Sequence, residues 1–391
     1  MSDSTSEQIG AADGASGVGS PARPVSADSA VSANSADSAI EGDFPPARFP
    51  SDAELMDGPN ALEDNDEDID ASSPASARVE IIVPETPEDF RAGFACLVGR
   101  PNAGKSTLTN ALVGTKVAIT SGRPQTTRHN VRGVVHRSDS QLVLVDTPGL
   151  HRPRTLLGKR LNDLVRETLA GVDVIAFCIP ADEKIGPGDR FITRDLAEAR
   201  TPVVAVVTKA DTVSKEALAA QLLAVDQLGE WADIVPVSAR RGQQIDVLTD
   251  VLVSHLPFSP PLYPTGEITD EPQAMMIGEL VREAALEGVR DELPHSLAVV
   301  VDEILDPTTD TTGARVKGEG GRLQVRVSLV VERDSQKAIM IGRGGSRLKE
   351  IGMMARKEIE KLLGRKVYLD LHVRTAKDWQ SDPKALTKLG F

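Results

Sequence analysis

The chain has 391 residues, of which 40% are hydrophobic and 3% aromatic, and its 44 Lys and Arg against 58 Asp and Glu give a formal net charge of −14. At about 150 residues per domain, this length predicts two globular units plus additional sequence, and the two cysteines exclude a disulfide-rich scaffold. No apolar run approaches the roughly 18 residues of a membrane-spanning helix and the first residues do not resemble a secretory signal, so we expect a soluble cytoplasmic protein.

The first quarter of the chain carries nearly all of the excess negative charge. Residues 1–88 contain 19 acidic and 3 basic side chains, whereas residues 89–391 have a net charge of +2. Ser, Ala, Asp and Pro dominate this segment, and it cannot bury enough apolar surface to offset the entropy of ordering. We therefore predict a disordered acidic N-terminal extension over residues 1–88.

From residue 89, short aliphatic runs alternate with amphipathic stretches, which is typical of helices packed on both faces of a mostly parallel sheet. The runs predicted as strands are 94–98, 142–145, 172–179, 203–207 and 234–237. Segment 131–136 lies close enough before residue 142 to form an antiparallel edge hairpin with that strand. The pattern predicts an α/β domain over residues 89–258.

A Walker A pattern, G-x-x-x-x-G-K-S, follows the first predicted strand and precedes a predicted helix over 107–113. Its glycines let main-chain N–H groups surround phosphates, and the helix N-terminus adds partial positive charge. Lys105 is expected to contact the β- and γ-phosphates, and the Ser106 hydroxyl to bind Mg²⁺. The predicted phosphate-binding residues are Gly99, Arg100, Pro101, Asn102, Ala103, Gly104, Lys105, Ser106 and Thr107.

A second motif, Asp146-Thr147-Pro148-Gly149, follows the strand predicted at 142–145. There a carboxylate can hold the metal and the glycine can contact a γ-phosphate. The polar loop 122–128 between the two motifs is of the kind that orders around Mg²⁺ and γ-phosphate, and either Thr126 or Thr127 is expected to reach the metal. The predicted catalytic residues are Lys105, Thr127, Asp146 and Gly149.

Two further segments at strand ends predict recognition of guanine. In Thr208-Lys209-Ala210-Asp211, the Asp211 carboxylate can accept hydrogen bonds from the guanine N1–H and amino group, donors that adenine lacks. The stem of Lys209 would lie along the base. After the next strand, the main-chain N–H of Ala239, in Ser238-Ala239, could donate to guanine O6. These residues predict binding of GTP and GDP rather than adenine nucleotides.

Prolines interrupt regular structure over 259–272, which predicts a linker followed by a smaller α+β domain at 273–391. Its predicted elements are a helix at 274–288, strands at 297–304 and 323–329, a short helix, a long helix and a final strand at 367–373. Met353 and Met354 are expected to pack in its core, and Trp379 to anchor the last turn rather than stack on a base.

Between the short and the long helix lies a G-x-x-G segment that lets a nucleic-acid strand approach the main chain, as in KH domains that bind single-stranded RNA. The surrounding window, residues 333–366, has 10 basic and 4 acidic side chains. A dinucleotide-binding turn fails because residue 347 is Arg rather than Gly, whereas a plain helical hairpin stays open as an alternative. The predicted RNA-binding residues are Gly342, Arg343, Gly344, Gly345, Arg347 and Lys349.

Taken together, the segments G-R-P-N-A-G-K-S, R-P-Q-T-T-R, D-T-P-G-L, T-K-x-D and S-A, with the C-terminal domain, resemble the Era family of bacterial ribosome-assembly GTPases over about residues 90–391. The resemblance implies a P-loop NTPase G domain followed by a type II KH domain, a monomer, and Mg²⁺-dependent GTP hydrolysis. It also implies binding near the 3′ end of small-subunit ribosomal RNA, a role in small-subunit assembly and maturation, and peripheral contact with the inner membrane, for which no hydrophobic anchor is evident.

The sequence departs from related GTPases at two positions of the site. Thr208 stands where the family usually has Asn, so we expect some loss of loop bracing. Leu150 follows the Asp-Thr-Pro-Gly glycine, where Ras-type enzymes have a water-orienting Gln, so slow intrinsic hydrolysis is expected. The water could be positioned by the main chain, by a monovalent cation such as K⁺ near Asn102, or by the ribosome.

Two alternatives from other classes remain at this point. One is an RNA-binding scaffold whose nucleotide site is purely structural. The other is a tRNA-modification or tandem-GTPase relative, against which the single phosphate loop and the terminal KH-like domain argue.

Overall fold

The computed structural model describes residues 87–121, 123, 126–153, 155–289, 296–307 and 321–391. All but the last two residues of the predicted N-terminal extension lie outside this part of the chain. Gly122, Pro124 and Gln125 of the polar loop also lie outside it. Within the described ranges, no helix is long and apolar enough to cross a membrane.

The first sheet has six strands in the order β2-β3-β1-β4-β5-β6. Neighbouring strands are parallel except β2 and β3, which form the antiparallel edge pair. Sequence and structure agree on the five central runs and on the edge hairpin, so the predicted α/β fold is confirmed. The strands are β1 (Arg91–Gly99), β2 (Val131–His136), β3 (Ser140–Asp146), β4 (Val174–Pro180), β5 (Val203–Thr208) and β6 (Asp233–Pro236).

Helices cover both faces of this sheet because successive side chains of a buried strand point to opposite sides. Ala95 and Leu97 of β1 pack with one group of helices, while Cys96 and Val98 pack with the other. The first face is covered by α1 (Lys105–Val113) and α5 (Ile245–Ser254), and the second by α2 (Leu156–Ala170), α3 (Pro187–Ala197) and α4 (Lys215–Asp226).

The C-terminal part folds as a three-stranded sheet in which β8 pairs antiparallel with β7 and parallel with β9. Leu323, Val325 and Val327 of β8 pack against a helical layer. Its elements are α6 (Gln273–Leu286), β7 (Ala298–Leu305), β8 (Leu323–Val331), α7 (Asp334–Ile341), α8 (Ser346–Leu363), β9 (Val367–Thr375) and α9 (Pro383–Lys388). The predicted α+β arrangement, with one strand after the helix pair, is confirmed.

The expectation that both methionines of α8 are core residues is wrong for Met353. Its side chain is 53% exposed, whereas Met354 packs against the core. Ile351, Ala355 and Ile359 define the buried stripe of the helix. Met353 lies outside that stripe, so helical spacing rather than residue type decides its exposure.

Trp379 anchors the C-terminal segment, as expected from the sequence, and does so against the first domain. It is fully buried in a cluster with Leu157 and Leu161 of α2 and Leu386 of α9. Its indole Nε1 donates to the carbonyl oxygen of Ser296 at 3.0 Å. The last helix therefore contributes to the packing of α2 against the second sheet.

Replacing Trp379 with Ala is expected to lower the free energy of unfolding by about 3–5 kcal/mol, because a buried indole is removed and a cavity remains. Urea denaturation followed by circular dichroism measures this loss. Trp379→Phe, which retains a ring and loses the hydrogen bond, should cost clearly less. A Trp379→Ala variant as stable as wild type would contradict the packing role.

Candidate nucleotide-binding and RNA-binding sites

The phosphate loop connects β1 to α1 and wraps tightly around Lys105. Its ammonium donates to the carbonyl oxygens of Gly99 at 3.2 Å and of Arg100 at 3.1 Å. Gly104 has a left-handed φ of 89°, and a Cβ on Gly99 would lie 2.5 Å from the carbonyl oxygen of Cys178. Both positions therefore require glycine. Burial lowers the pKa of Lys105, against the opposing influence of Asp146.

Three oxygen-bearing side chains meet beside the phosphate loop. The Ser106 hydroxyl donates to Asp146 Oδ2 at 2.6 Å and lies 2.8 Å from the Thr127 hydroxyl, which donates to the same Oδ2 at 3.1 Å. The Thr126 hydroxyl instead donates to the carbonyl oxygen of Arg123. Of the two threonines that the sequence left open, the structure brings Thr127 to this group, which we call the oxygen corner (Ser106, Thr127, Asp146).

The oxygen corner fits a Mg²⁺ ion. Hydroxyl and carboxylate oxygens are the ligands that this ion prefers. Asp146 is fully buried, yet its Oδ1 atom has no hydrogen-bond partner among the described residues. Burial raises the pKa of Asp146, while Lys105, Ser106 and Thr127 lower it. A buried carboxylate oxygen of this kind is suited to a cation or its bound water.

Gly149 lies directly against the phosphate loop. A Cβ at this position would come within 2.7 Å of the main-chain nitrogen of Pro101, so no larger residue fits without movement of the loop. The next residue, Leu150, donates its N–H to the carbonyl oxygen of Gly99 at 3.2 Å, and its side chain is buried in the core. The position that carries Gln in Ras-type enzymes therefore presents no polar group here.

At the other end of the cavity, Asp211 is held by a short network. The Ser238 hydroxyl donates to Asp211 Oδ1 at 2.6 Å, and Arg241 Nε lies 3.5 Å from the other carboxylate oxygen. The Ser238 hydrogen bond is the main influence that lowers the pKa of Asp211. Lys209 adopts a left-handed φ of 56° and directs its ammonium toward Asp182 at 3.1 Å. Asp211 is thus fixed as an ionised acceptor.

Thr208 contacts the phosphate loop through its hydroxyl. Its hydroxyl donates to the carbonyl oxygen of Ala103 at 2.6 Å. This buried bond connects β5 to the loop between β1 and α1. The expected loss of bracing relative to asparagine stays a prediction, and the structure shows the contact that threonine makes with the loop.

One cavity of about 560 Å³ joins the oxygen corner to the recognition segments. Its lining includes the predicted residues Pro101, Asn102, Gly104, Lys105, Ser106, Thr107, Thr126, Thr127, Gly149, Thr208, Lys209, Asp211 and Ala239. This lining does not include the other predicted residues, which are Gly99, Arg100, Ala103, Asp146, Thr147, Pro148 and Ser238. Arg100 turns away to bind Asp189 at 2.6 Å and Glu183 at 3.1 Å. A nucleotide-sized space therefore spans both predicted ends of the site.

The G-x-x-G segment forms an exposed turn between α7 and α8. Gly342, Gly344 and Gly345 have φ values of 72°, 55° and 80°, in the left-handed region that favours glycine. Space around Gly344 and Gly345 is open, with nothing within 4 Å of an added Cβ. Arg343 and Lys349 are exposed beside the turn.

Arg347 differs from the other predicted RNA-binding residues. Its guanidinium donates to Glu350 at 2.7 Å and to the carbonyl oxygen of Glu287 at the end of α6. Its side chain is 19% exposed. The structure therefore places Arg347 in a contact that fixes the base of the turn, which sequence spacing did not indicate.

Comparison with known proteins gives two family matches and a set of close relatives. Residues 94–209 match the family described as 50S ribosome-binding GTPase, and residues 292–380 match the KH domain family. The chain is 64% identical to GTPase Era of Mycobacterium avium over 306 residues, covering 78% of this chain and 99% of the relative. It is 63% identical to GTPase Era of Streptomyces coelicolor, covering 77% and 95%. The chain belongs to the Era family of GTPases.

Solved Era structures share the arrangement of both domains. The chain matches Era in complex with MgGDPNP and nucleotides 1506–1542 of 16S ribosomal RNA with a TM-score of 0.72 and 36% identity, covering 77% of this chain and 99% of that one. A point variant of Aquifex aeolicus Era bound to GDP.AlF4⁻ matches with a TM-score of 0.71, the same identity and the same coverage. The predicted G domain and KH fold is therefore confirmed as the Era fold.

Sequence reasoning missed a set of contacts that join the Era G domain to the KH domain next to the oxygen corner. Arg128 is fully buried and donates to the carbonyl oxygen of Leu297 at 2.7 Å, with its guanidinium 5.8 Å from the Trp379 ring. Burial and the neighbouring Arg282 lower the pKa of Arg128 to about 9. No local pattern could reveal the contact between Arg128 and Leu297, because the two residues lie more than 150 residues apart in the chain.

Proposed function

We propose that this chain is a GTP-hydrolysing switch that binds small-subunit ribosomal RNA near its 3′ end through the KH domain and assists assembly and maturation of the small ribosomal subunit. The observation that carries the proposal is the single cavity joining the oxygen corner to Asp211, in a chain that also presents the G-x-x-G turn. An Era relative solved with MgGDPNP and a 16S ribosomal RNA fragment supports both ligands.

In this proposal the oxygen corner holds Mg²⁺ through the hydroxyls of Ser106 and Thr127, with Asp146 acting directly or through water. A bound Mg²⁺ would neutralise charge that develops on the phosphates. Lys105, held within the loop, would exchange its carbonyl partners for β- and γ-phosphate oxygens. The buried Asp146 carboxylate would thus act on the metal and the Lys105 ammonium on the phosphates.

Hydrolysis by the isolated protein is proposed to be slow. The Leu150 side chain is buried in the core and offers no group that orients water. Without a supplied catalytic group, intrinsic GTPase rates can be about 10⁻⁴ s⁻¹. We propose that the main chain, a K⁺ ion near Asn102 or the ribosome positions the water. Asn102 lines the cavity and has a left-handed φ of 64°.

Other parts of the proposal rest on the family resemblance and composition. The domain limits 89–258, 259–272 and 273–391, a monomeric state and cytoplasmic location stay predictions. Peripheral contact with the inner membrane is likewise carried by the resemblance alone. The proposal assigns the KH surface to the RNA, with GTP and GDP states differing in affinity for it.

Gly344→Asp tests the RNA-binding half of the proposal. The substitution places a negative charge at a left-handed position in the exposed turn, and we expect RNA affinity to fall at least tenfold with GTP affinity unchanged. Binding of a single-stranded RNA from the 3′ end of 16S ribosomal RNA is measured by fluorescence anisotropy in the presence of GDPNP and of GDP.

Lys215→Asp, a change to the same acidic residue on the exposed start of α4, is the matched control and should retain RNA binding. Equal RNA affinity of wild type and Gly344→Asp would contradict the assigned surface. Equal affinity of the GDPNP and GDP forms would contradict the switch. Single-turnover release of phosphate from GTP excludes a purely structural nucleotide site.

A further inference from the structure

Helix α6 of the KH domain contacts the segment that carries Thr127. Arg282 of this helix is 2% exposed and donates through Nη2 to the carbonyl oxygen of Thr126. The same guanidinium is fixed by Glu279, one helical turn earlier, with Nε 2.9 Å and Nη2 2.5 Å from the two carboxylate oxygens. Burial opposes ionisation of Glu279, but Arg282 together with His129 and Arg128 holds the pKa of this carboxyl below its usual value.

A neighbouring residue of α6 holds the other end of the same segment. Glu283 accepts a hydrogen bond from the main-chain N–H of Thr120 at 3.0 Å and forms an ion pair with Lys116 at 2.5 Å. Residues 120 and 126 are therefore both fastened to consecutive positions of one helix. We call this set of contacts the α6 clamp (Lys116, Thr120 and Thr126 with Glu279, Arg282 and Glu283).

The clamp ends one peptide unit from the oxygen corner. The carbonyl oxygen of Thr126 that Arg282 binds belongs to the peptide group that continues into Thr127, whose hydroxyl contacts Ser106 and Asp146. Fixing one end of a peptide plane limits the positions that the next side chain can reach, because only two dihedral angles per residue are soft. A shift of Arg282 would therefore move the Thr127 hydroxyl relative to its partners.

From this geometry we infer that Arg282 is a positioning residue for GTP hydrolysis, through which the KH domain sets the placement of Thr127 at the oxygen corner. The inference rests on the proposed GTPase function and adds a specific route between the domains. The contacts that brace the phosphate loop and Asp211 come instead from Thr208, Ser238 and Asp189 of the first domain.

The affinities for GDP and for the GTP analogue GDPNP should consequently respond differently to loss of the α6 clamp. GDP is held by the phosphate loop and the guanine segments, whereas the γ-phosphate and its metal also use the loop that carries Thr127. Arg282→Met is expected to lower kcat for GTP hydrolysis about tenfold, the order of effect of losing one hydrogen bond to a charged group. Affinity for GDPNP should fall relative to GDP, and affinity for GDP should stay within about twofold of wild type.

The experiment compares full-length wild type, Arg282→Met, Arg282→Lys and a matched control, Arg326→Met. Arg326 is an exposed arginine of the KH domain that pairs with Glu303 at 3.0 Å on the sheet surface. We measure single-turnover GTP hydrolysis, Kd for GDPNP and GDP with Mg²⁺, and urea denaturation of each protein. Arg282→Lys retains the charge and should recover part of kcat, and Arg326→Met should match wild type.

The outcomes separate the inference from the proposed function. If wild type does not hydrolyse GTP, the proposed function fails. If wild type hydrolyses GTP and Arg282→Met matches Arg326→Met, the inference fails. It also fails if Arg282→Met loses GDP and GDPNP affinity equally, since that result indicates a structural role only. If Arg282→Met does not fold, the folded Arg282→Lys variant provides the test. A lower kcat with unchanged GDP affinity supports the inference, and any other result contradicts it.

Discussion

Asp211→Asn is expected to reduce GTP affinity by about 10⁴-fold and to create binding of xanthosine triphosphate. The Asp211 carboxylate is held as an acceptor by the Ser238 hydroxyl at 2.6 Å. Replacing one carboxylate oxygen with an amide NH₂ places a donor opposite a donor of guanine, whereas xanthine offers a carbonyl oxygen there. Isothermal titration calorimetry with both triphosphates and Mg²⁺ measures the change.

The control for Asp211→Asn is Asp246→Asn, an identical change at an exposed residue in the first turn of α5. This control should bind GTP as wild type does and should not bind xanthosine triphosphate. Retention of GTP binding by Asp211→Asn would show that the base is recognised elsewhere, and the guanine assignment would then be wrong.

Thr127→Ala is expected to lower single-turnover GTP hydrolysis by about 10²–10³-fold, the order of effect of removing one preorganised group at a charged reaction centre. Its hydroxyl is the one that the structure brings to Ser106 and Asp146, at 2.8 and 3.1 Å. The rate constant and its Mg²⁺ dependence are measured by phosphate release, and a higher Mg²⁺ requirement should accompany the slower rate.

Thr126→Ala is the adjacent matched control for this prediction. Its hydroxyl donates to the carbonyl oxygen of Arg123, so removal should change the rate by no more than about threefold. If Thr126→Ala proved the slower enzyme, the two threonines would have been assigned in the wrong order. Equal rates for both variants and wild type would remove the threonines from the site altogether.

The sequence predicted the elements of the fold well because their signals are local. Short valine-rich runs with polar residues at their ends mark buried parallel strands, and β3, β4 and β5 lie within a few residues of their predicted limits. The phosphate loop was equally predictable, because its glycines, Lys105 and Ser106 all lie within one segment of eight residues. The order of motifs at successive strand ends then indicated a guanine-nucleotide site.

Local sequence patterns did not indicate the surroundings of two side chains in α8, Met353 and Arg347. Met353 was expected in the core from its residue type, yet it lies on the exposed side of α8. RNA binding by Arg347 stays a prediction from its position next to the turn, and the pattern did not indicate that Glu350 and the end of α6 hold its guanidinium. In both cases the packing of the helix against its neighbours, rather than the local pattern, decides where the side chain goes.

What the sequence alone determined is therefore the α/β and α+β domains, the phosphate-binding loop, the guanine segments and the G-x-x-G turn. The tertiary structure alone decided that Thr127 rather than Thr126 joins Ser106 and Asp146, and that Thr208 braces the phosphate loop. It also decided that Arg282 and Glu283 of α6 hold the main chain at Thr126 and Thr120. The reason is physical. Strand and loop patterns arise from periodicity over a few residues, whereas the direction of the Thr208 hydroxyl or the Arg282 guanidinium is set by a partner more than 100 residues away, and only folding brings such partners together.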